Sequence, residues 1–81
     1  MEKQQHTMMI IDFIQVSSRS CHVIIAGVDA DTGREFNGEV RFTNGMLNGD
    51  VIHPERTVLS PGCREFVENK LYGKYKAGDF S

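Results

Sequence analysis

The sequence predicts an α+β fold: a three- to four-stranded antiparallel meander followed by one C-terminal helix packed on one of its faces. Residues 8–42 hold three runs rich in β-branched and aromatic side chains, separated by turn residues. Two Asn-Gly dipeptides follow, at 44–45 and 48–49. Ser60-Pro61 then opens a segment whose apolar residues recur at helical spacing. With 81 residues in all, the expectation is one domain over 8–81 behind a flexible polar tail at 1–7.

Residues 8–16 (MMIIDFIQV) read as the first strand, and Ser17-Ser18-Arg19-Ser20 as the turn after it. Residues 21–28 (CHVIIAGV) read as the second. Asp29-Ala30-Asp31-Thr32-Gly33 then supplies turn chemistry, its glycine free to take positive φ. Residues 34–42 alternate cleanly: Phe36, Gly38, Val40 and Phe42 share one face, and Glu35, Asn37, Glu39 and Arg41 the other. That period of two marks a half-exposed strand. Between 43 and 59 only short apolar pieces remain, so a short fourth strand is expected near 50–53 or 56–59, limited by Pro54. Ser60 suits an N-cap and Pro61 the first helical position. Cys63, Phe66, Val67 and Leu71 form an apolar stripe, and Gly73 fits the position past a helix over 61–72.

The first two strands are apolar on both sides. Strict alternation puts Met9, Ile11 and Phe13 on one side, with Met8, Ile10, Ile14 and Val16 on the other. Val23 and Ile25 oppose Ile24, Ala26 and Val28. One helix covers one face. The second needs cover from residues 43–59, from closure into a barrel, or from a second molecule. Ile10, Ile14, Ile24 and Val28 are therefore expected to form a partner-binding face.

Composition bounds the function. Forty per cent hydrophobic and 25% charged residues describe an ordinary globular chain. A chain this short buries only about 60–65% of its unfolded surface, and its core supplies ~3–5 kcal/mol. That leaves little room for a deep active site. Nine basic against 11 acidic residues give −2, which argues against a duplex DNA binder. The charge is uneven. Asp29, Asp31, Glu35 and Glu39 against Arg34 make 29–39 net −3, while 64–76 is net +2. The acidic hairpin is expected to meet a protein partner, of which a basic nucleic-acid-binding protein is one kind.

The opening residues are too short and too charged for a signal peptide or a membrane span. The expected location is the cytoplasm, with Cys21 and Cys63 as reduced thiols.

Motifs that carry chemistry are sparse. His6, His22, His53, Cys21 and Cys63 show neither Cys-x-x-Cys nor His-x3-His spacing, so no metal and no cofactor is assigned. Asp29-x-Asp31-x-Gly33 begins like an EF-hand loop. It then departs from that pattern, with Arg34 at the glycine position and Val40 at the bidentate glutamate position. Cys63 lies near the positive end of the helix, where a thiol pKa falls, which keeps a small cysteine-dependent enzyme as one alternative. Asp12, an acid inside an apolar run, reads as an exposed or hydrogen-bonded structural residue. Lys70, Tyr72, Lys74, Tyr75 and Lys76 interleave cations with aromatic rings, the pattern of single-stranded nucleic-acid or RNA binding, the other alternative. The reading favoured over both is a small non-enzymatic protein-binding or regulatory module. It would act by occluding a surface, alone or as a homodimer, in the size class of many phage and mobile-element inhibitors.

Overall fold

The computed structural model describes residues 5–80. Four strands, β1 (Thr7–Ser17), β2 (Ser20–Asp29), β3 (Arg34–Thr43) and β4 (Met46–Asn48), form one antiparallel sheet in the order β1-β2-β3-β4. A 3-10 turn (Asp50–Ile52) and a loop lead to the helix α1 (Pro61–Lys76). The expected antiparallel meander with one C-terminal helix is the architecture found.

The core lies between the sheet's inner face and α1. Val23, Ile25, Val40 and Phe42 come from the sheet, and Cys63, Val67 and Leu71 from the helix; none is more than 1% exposed. Full burial of such valines and leucines stabilises by about 1.5–3 kcal/mol each. Ile52 and Leu59 join the same cluster, and Val51 packs over Gly38. Residues 43–59 thus reinforce the inner side that the helix already covers and leave the outer side of β1 and β2 open.

Four expectations are corrected. Of the polar tail at 1–7, residues 1–4 lie outside the described residues, but Thr7 opens β1 and the His6 side chain is only 18% exposed. The fourth strand is at 46–48, not at 50–53 or 56–59. Asn44 (φ 52°) and Gly45 (φ 81°) both take positive φ, the signature of a two-residue type I′ hairpin turn, and this folds Met46-Leu47 back onto β3.

The helix ends at Lys76, with Ala77 as C-cap and Gly78 (φ 82°) just beyond. Gly73 is therefore inside the helix. Tyr72 and Tyr75 both rest on the Phe42 ring. That packing carries the chain past a glycine whose helical cost is only about 1 kcal/mol.

The last correction concerns β1. Ile10 pairs with Ile25, yet Asp12 pairs with Ile24, so Ile11 is a bulge residue. The bulge reverses the alternation: Ile10 packs against the core, while Asp12 and Ile14 join the outer face and Phe13 meets Phe80 on the inner side. Strict alternation from Met8 to Val16 fails at this one residue.

Candidate functional site

The outer face of the sheet divides into two halves. On β1 and β2 it carries Met9 (62% exposed), Ile11 (57%), Ile14 (60%), Val16 (58%) and Ile24 (41%). On β3 it carries Glu35, Asn37, Glu39 and Arg41. Register joins the halves in rows: Met9–Ala26–Asn37, Asp12–Ile24–Glu39 and Ile14–His22–Arg41. A contiguous apolar patch of a few hundred Å² with a polar rim is the usual mark of an interaction surface. His22 sits on the seam, its Nδ1 3.0 Å from Glu39 Oε1.

The β1 edge itself is guarded. Its register shifts twice, between Ile10 and Asp12 and between Gln15 and Ser17. The Asp12 carboxylate accepts the N–H of Phe13 at 2.8 Å, which explains an acid in this apolar run. Bulges and charges of this kind blunt a sheet edge against strand addition. The open feature is the face, not the edge.

Of the expected face residues, Ile14, Ile24 and Val28 are on the outer side. Ile10 is not, because the bulge turns it inward beside the core. Glu35 and Glu39 are exposed on β3. Asp29 is not available to a partner, being 1% exposed. Its Oδ2 accepts the Ser60 N–H at 2.7 Å, and its Oδ1 accepts the Ser60 hydroxyl at 3.0 Å and the Asp31 N–H at 2.9 Å. Asp31 is exposed, but its Oδ2 lies 2.7 Å from the same hydroxyl. Ser60 Oγ in turn accepts the Cys63 N–H at 3.2 Å as N-cap. Half of the expected acidic patch is thus a clamp that ties the β2–β3 turn to the start of α1.

Burial acts to raise the pKa of Asp29. The hydrogen bonds from the Ser60 backbone and hydroxyl, and from the backbone of Asp31 and Thr32, more than offset it and hold the value below the usual carboxylate one. His6 closes the clamp from the other side. Its Nδ1 accepts the Ala30 N–H at 2.9 Å and lies 3.7 Å from Asp29 Oδ1. Its Nε2 is 3.7 Å from Asp31 Oδ2, and its ring centroid is 5.7 Å from that of Phe66. His6, Asp29 and Cys63 present donor atoms that all lie within 4.8 Å of one another. Sequence spacing does not disclose this trio: its members come from the residue ahead of β1, the end of β2 and the first turn of α1, and in sequence Asp29 looks like a surface acid.

The expected cysteine chemistry does not fit its surroundings. Cys63 is fully buried, and its thiol is pushed up to about 11 by burial and then by the charges of Asp29 and Asp31. Burial and the two carboxylates both disfavour the thiolate, the form that acts as a nucleophile. His53 is exposed, with Nδ1 accepting the Glu55 N–H. Cys21 is buried, and burial raises its pKa as well; both cysteines are free.

In the Lys/Tyr segment both tyrosine rings pack on Phe42. The Tyr72 hydroxyl accepts the Leu47 N–H at 3.1 Å, and its ring stands edge-on to Phe42. Tyr75 is stacked on Phe42 at 4.6 Å between centroids. Lys70 lies over Phe66, Lys74 is 3.8 Å from Asp79, and Lys76 is exposed at the helix end. A cleft of about 230 Å³ near this end is lined by Arg19, Ser20, Cys21, Phe42, Tyr75 and Phe80 among others, with no carboxylate in its wall.

No protein-family model, curated protein or solved structure matches the chain. Among the described residues no helix is long and apolar enough to cross a membrane.

Proposed function

We propose that this protein is a non-enzymatic binding module whose contact surface is the outer face of β1–β3. The observation that carries the reading is the group of five large apolar residues, Met9, Ile11, Ile14, Val16 and Ile24, each 41–62% exposed on the side of the sheet away from the core. A fold that needed this face only for its own stability would have covered it, and the 43–59 segment packs on the other side.

Charge favours a different protein over a second copy. Asp12, Glu35 and Glu39 border the apolar half against Arg41, so two copies set face to face would bring mostly acids together. A partner with an apolar ridge flanked by lysines or arginines matches both halves. The basic rim of a nucleic-acid-binding protein has this chemistry, and the module would then act by covering it. Two free buried thiols suit a reducing compartment such as the cytoplasm.

The test is site-specific photo-crosslinking in the native host. A crosslinker at position 14 or 24 is expected to trap one protein through a peptide rich in apolar and basic residues. The same crosslinker at Asn69, on the exposed side of α1, is expected to trap none. Ile14→Glu together with Ile24→Glu, introduced with the crosslinker at position 9, abolishes capture while leaving the circular dichroism spectrum unchanged. Equal capture from positions 24 and 69, or a stable dimer of the isolated chain that these substitutions dissolve, overturns the reading.

A further inference from the structure

We propose that His6 Nδ1, Asp29 Oδ1 and Cys63 Sγ form the donor set of a site for a zinc-class divalent ion at the start of α1. The proposal stands apart from the contact face and uses none of its residues.

Three independent observations point to a cation. First, the donors are of the right kinds and close together: an imidazole, a carboxylate and a thiol with ligand atoms all within 4.8 Å. Around a tetrahedral zinc with bonds of about 2.0–2.3 Å, neighbouring donors sit roughly 3.3–3.7 Å apart. The cluster therefore needs to contract by about 1 Å, and His6, just ahead of β1, is the least buried of the three. Second, Cys63 is fully buried and its Sγ has no hydrogen-bond partner among the described residues, although it lies against a carboxylate and an imidazole. Third, two carboxylates, one of them 1% exposed, gather here with no lysine or arginine partner among the described residues; His6 alone pairs with them.

The geometry behind the imidazole also fits. A histidine that binds metal through one ring nitrogen generally donates the other N–H to a carboxylate, which fixes the ring. With Nδ1 on the ion, Nε2–H faces Asp31 Oδ2, now 3.7 Å away. Asp31 is thus the positioning residue. Binding exchanges hydrogen bonds for coordinate bonds at both atoms: the Ala30 N–H leaves Nδ1, and Asp29 Oδ1 gives up one of its two, that from the Ser60 hydroxyl, which keeps Asp31 Oδ2 as acceptor. The Cys63 proton leaves to solvent as the metal–sulfur bond forms. A thiolate in the set selects zinc, cobalt or a similar borderline ion over calcium or magnesium, which prefer oxygen alone. Three protein donors leave a fourth position for water. The consequence is structural: one ion would pin the chain ahead of β1, the end of β2 and the first turn of α1 to a single point.

The test titrates the reduced full-length chain with Co²⁺, then displaces it with Zn²⁺. The expected signature is a thiolate-to-cobalt charge-transfer band in the near ultraviolet, with one equivalent bound and a rise in the melting temperature on adding Zn²⁺. Cys63→Ser removes the band, and Cys21→Ala retains it. His6→Ala, checked by circular dichroism to keep the fold because it removes the acceptor of the Ala30 N–H, weakens Zn²⁺ by at least about tenfold. Asp31→Asn weakens it by about tenfold, the scale seen for partners behind a ligand. Absence of the band in the wild-type chain overturns the proposal. So does a band that survives Cys63→Ser, or Zn²⁺ affinity unmoved by His6→Ala.

Discussion

Ile24 and Ile25 are neighbours in β2 with the same side chain, yet Ile25 has no exposed surface and Ile24 keeps 41% of its own. The difference runs through the whole molecule. On the side of Ile25, the helix, the 3-10 turn and the 43–59 loop converge on one core cluster, and no buried side-chain nitrogen or oxygen among the described residues lacks a hydrogen bond. On the side of Ile24, the same quality of apolar side chain faces solvent across two strands. Similar residues thus serve different ends according to which side of the sheet the parity of the strand gives them. One side builds stability, and the other is available for binding.

The pair offers the sharpest way to break that comparison. Ile25→Ala is expected to cost about 3–4 kcal/mol, the range for a fully buried isoleucine. In a domain of this size that lowers the melting temperature by roughly 15–25 °C. Ile24→Ala is expected to cost under about 1 kcal/mol, since much of its surface is wet already. Thermal unfolding followed by circular dichroism separates the two. Similar losses at both positions would mean that something covers the outer face.

Much of this architecture is legible in the sequence, and the illegible parts have physical reasons. The first three strands follow from β-branched runs and from turn residues that tolerate positive φ, and α1 begins where Ser60-Pro61 says it should. The end of α1 is not legible because Gly73 carries a weak local stop signal, which two tyrosines on Phe42 override. Strict alternation puts Ile10 on the wrong face because a one-residue bulge at Ile11 leaves no mark on composition but reverses the parity of the positions after it, up to the second register shift past Gln15. Asp29 resembled its exposed neighbours because charge in a turn looks the same whether it meets water or a helix end. Only the return of Ser60 to the β2–β3 turn, 31 residues on, distinguishes them.

Asp29 is the next largest effect. Asp29→Ala leaves the Ser60 N–H, the Ser60 hydroxyl and the Asp31 N–H without their acceptor, at an expected cost of about 2–3 kcal/mol. The pH dependence has a definite sign. The folded-state pKa lies below the ordinary 3.8, so the unfolded chain takes up the proton first. The stability linked to this carboxylate is complete well above pH 4. It is lost as pH falls through the unfolded value toward the lower folded one. Denaturant titrations at pH 6 and pH 3 measure it, and Asp29→Asn is expected to reduce the difference between them. An undiminished difference would assign the acid sensitivity to other carboxylates.

The smallest expected effect lies where the two halves of the outer face meet. Glu39 is 53% exposed and His22 33%, with 3.0 Å between Oε1 and Nδ1. Pairs this open to water contribute about 0.5 kcal/mol or less, because solvent screens the interaction and both side chains give up rotamer freedom to make it. Glu39→Lys should therefore shift the melting temperature of the isolated chain by no more than about 4 °C. The same substitution reverses a charge beside Ile24, in the row that joins the apolar half of the face to the acidic half. A basic-rimmed partner would meet that lysine as like charge, so capture by a crosslinker at position 14 should fall severalfold while the fold is untouched. A stability loss as large as that of Asp29→Ala would instead make Glu39 a second structural clamp. The division between an inner face that holds the fold and an outer face proposed to hold a partner would then have to be redrawn along β3.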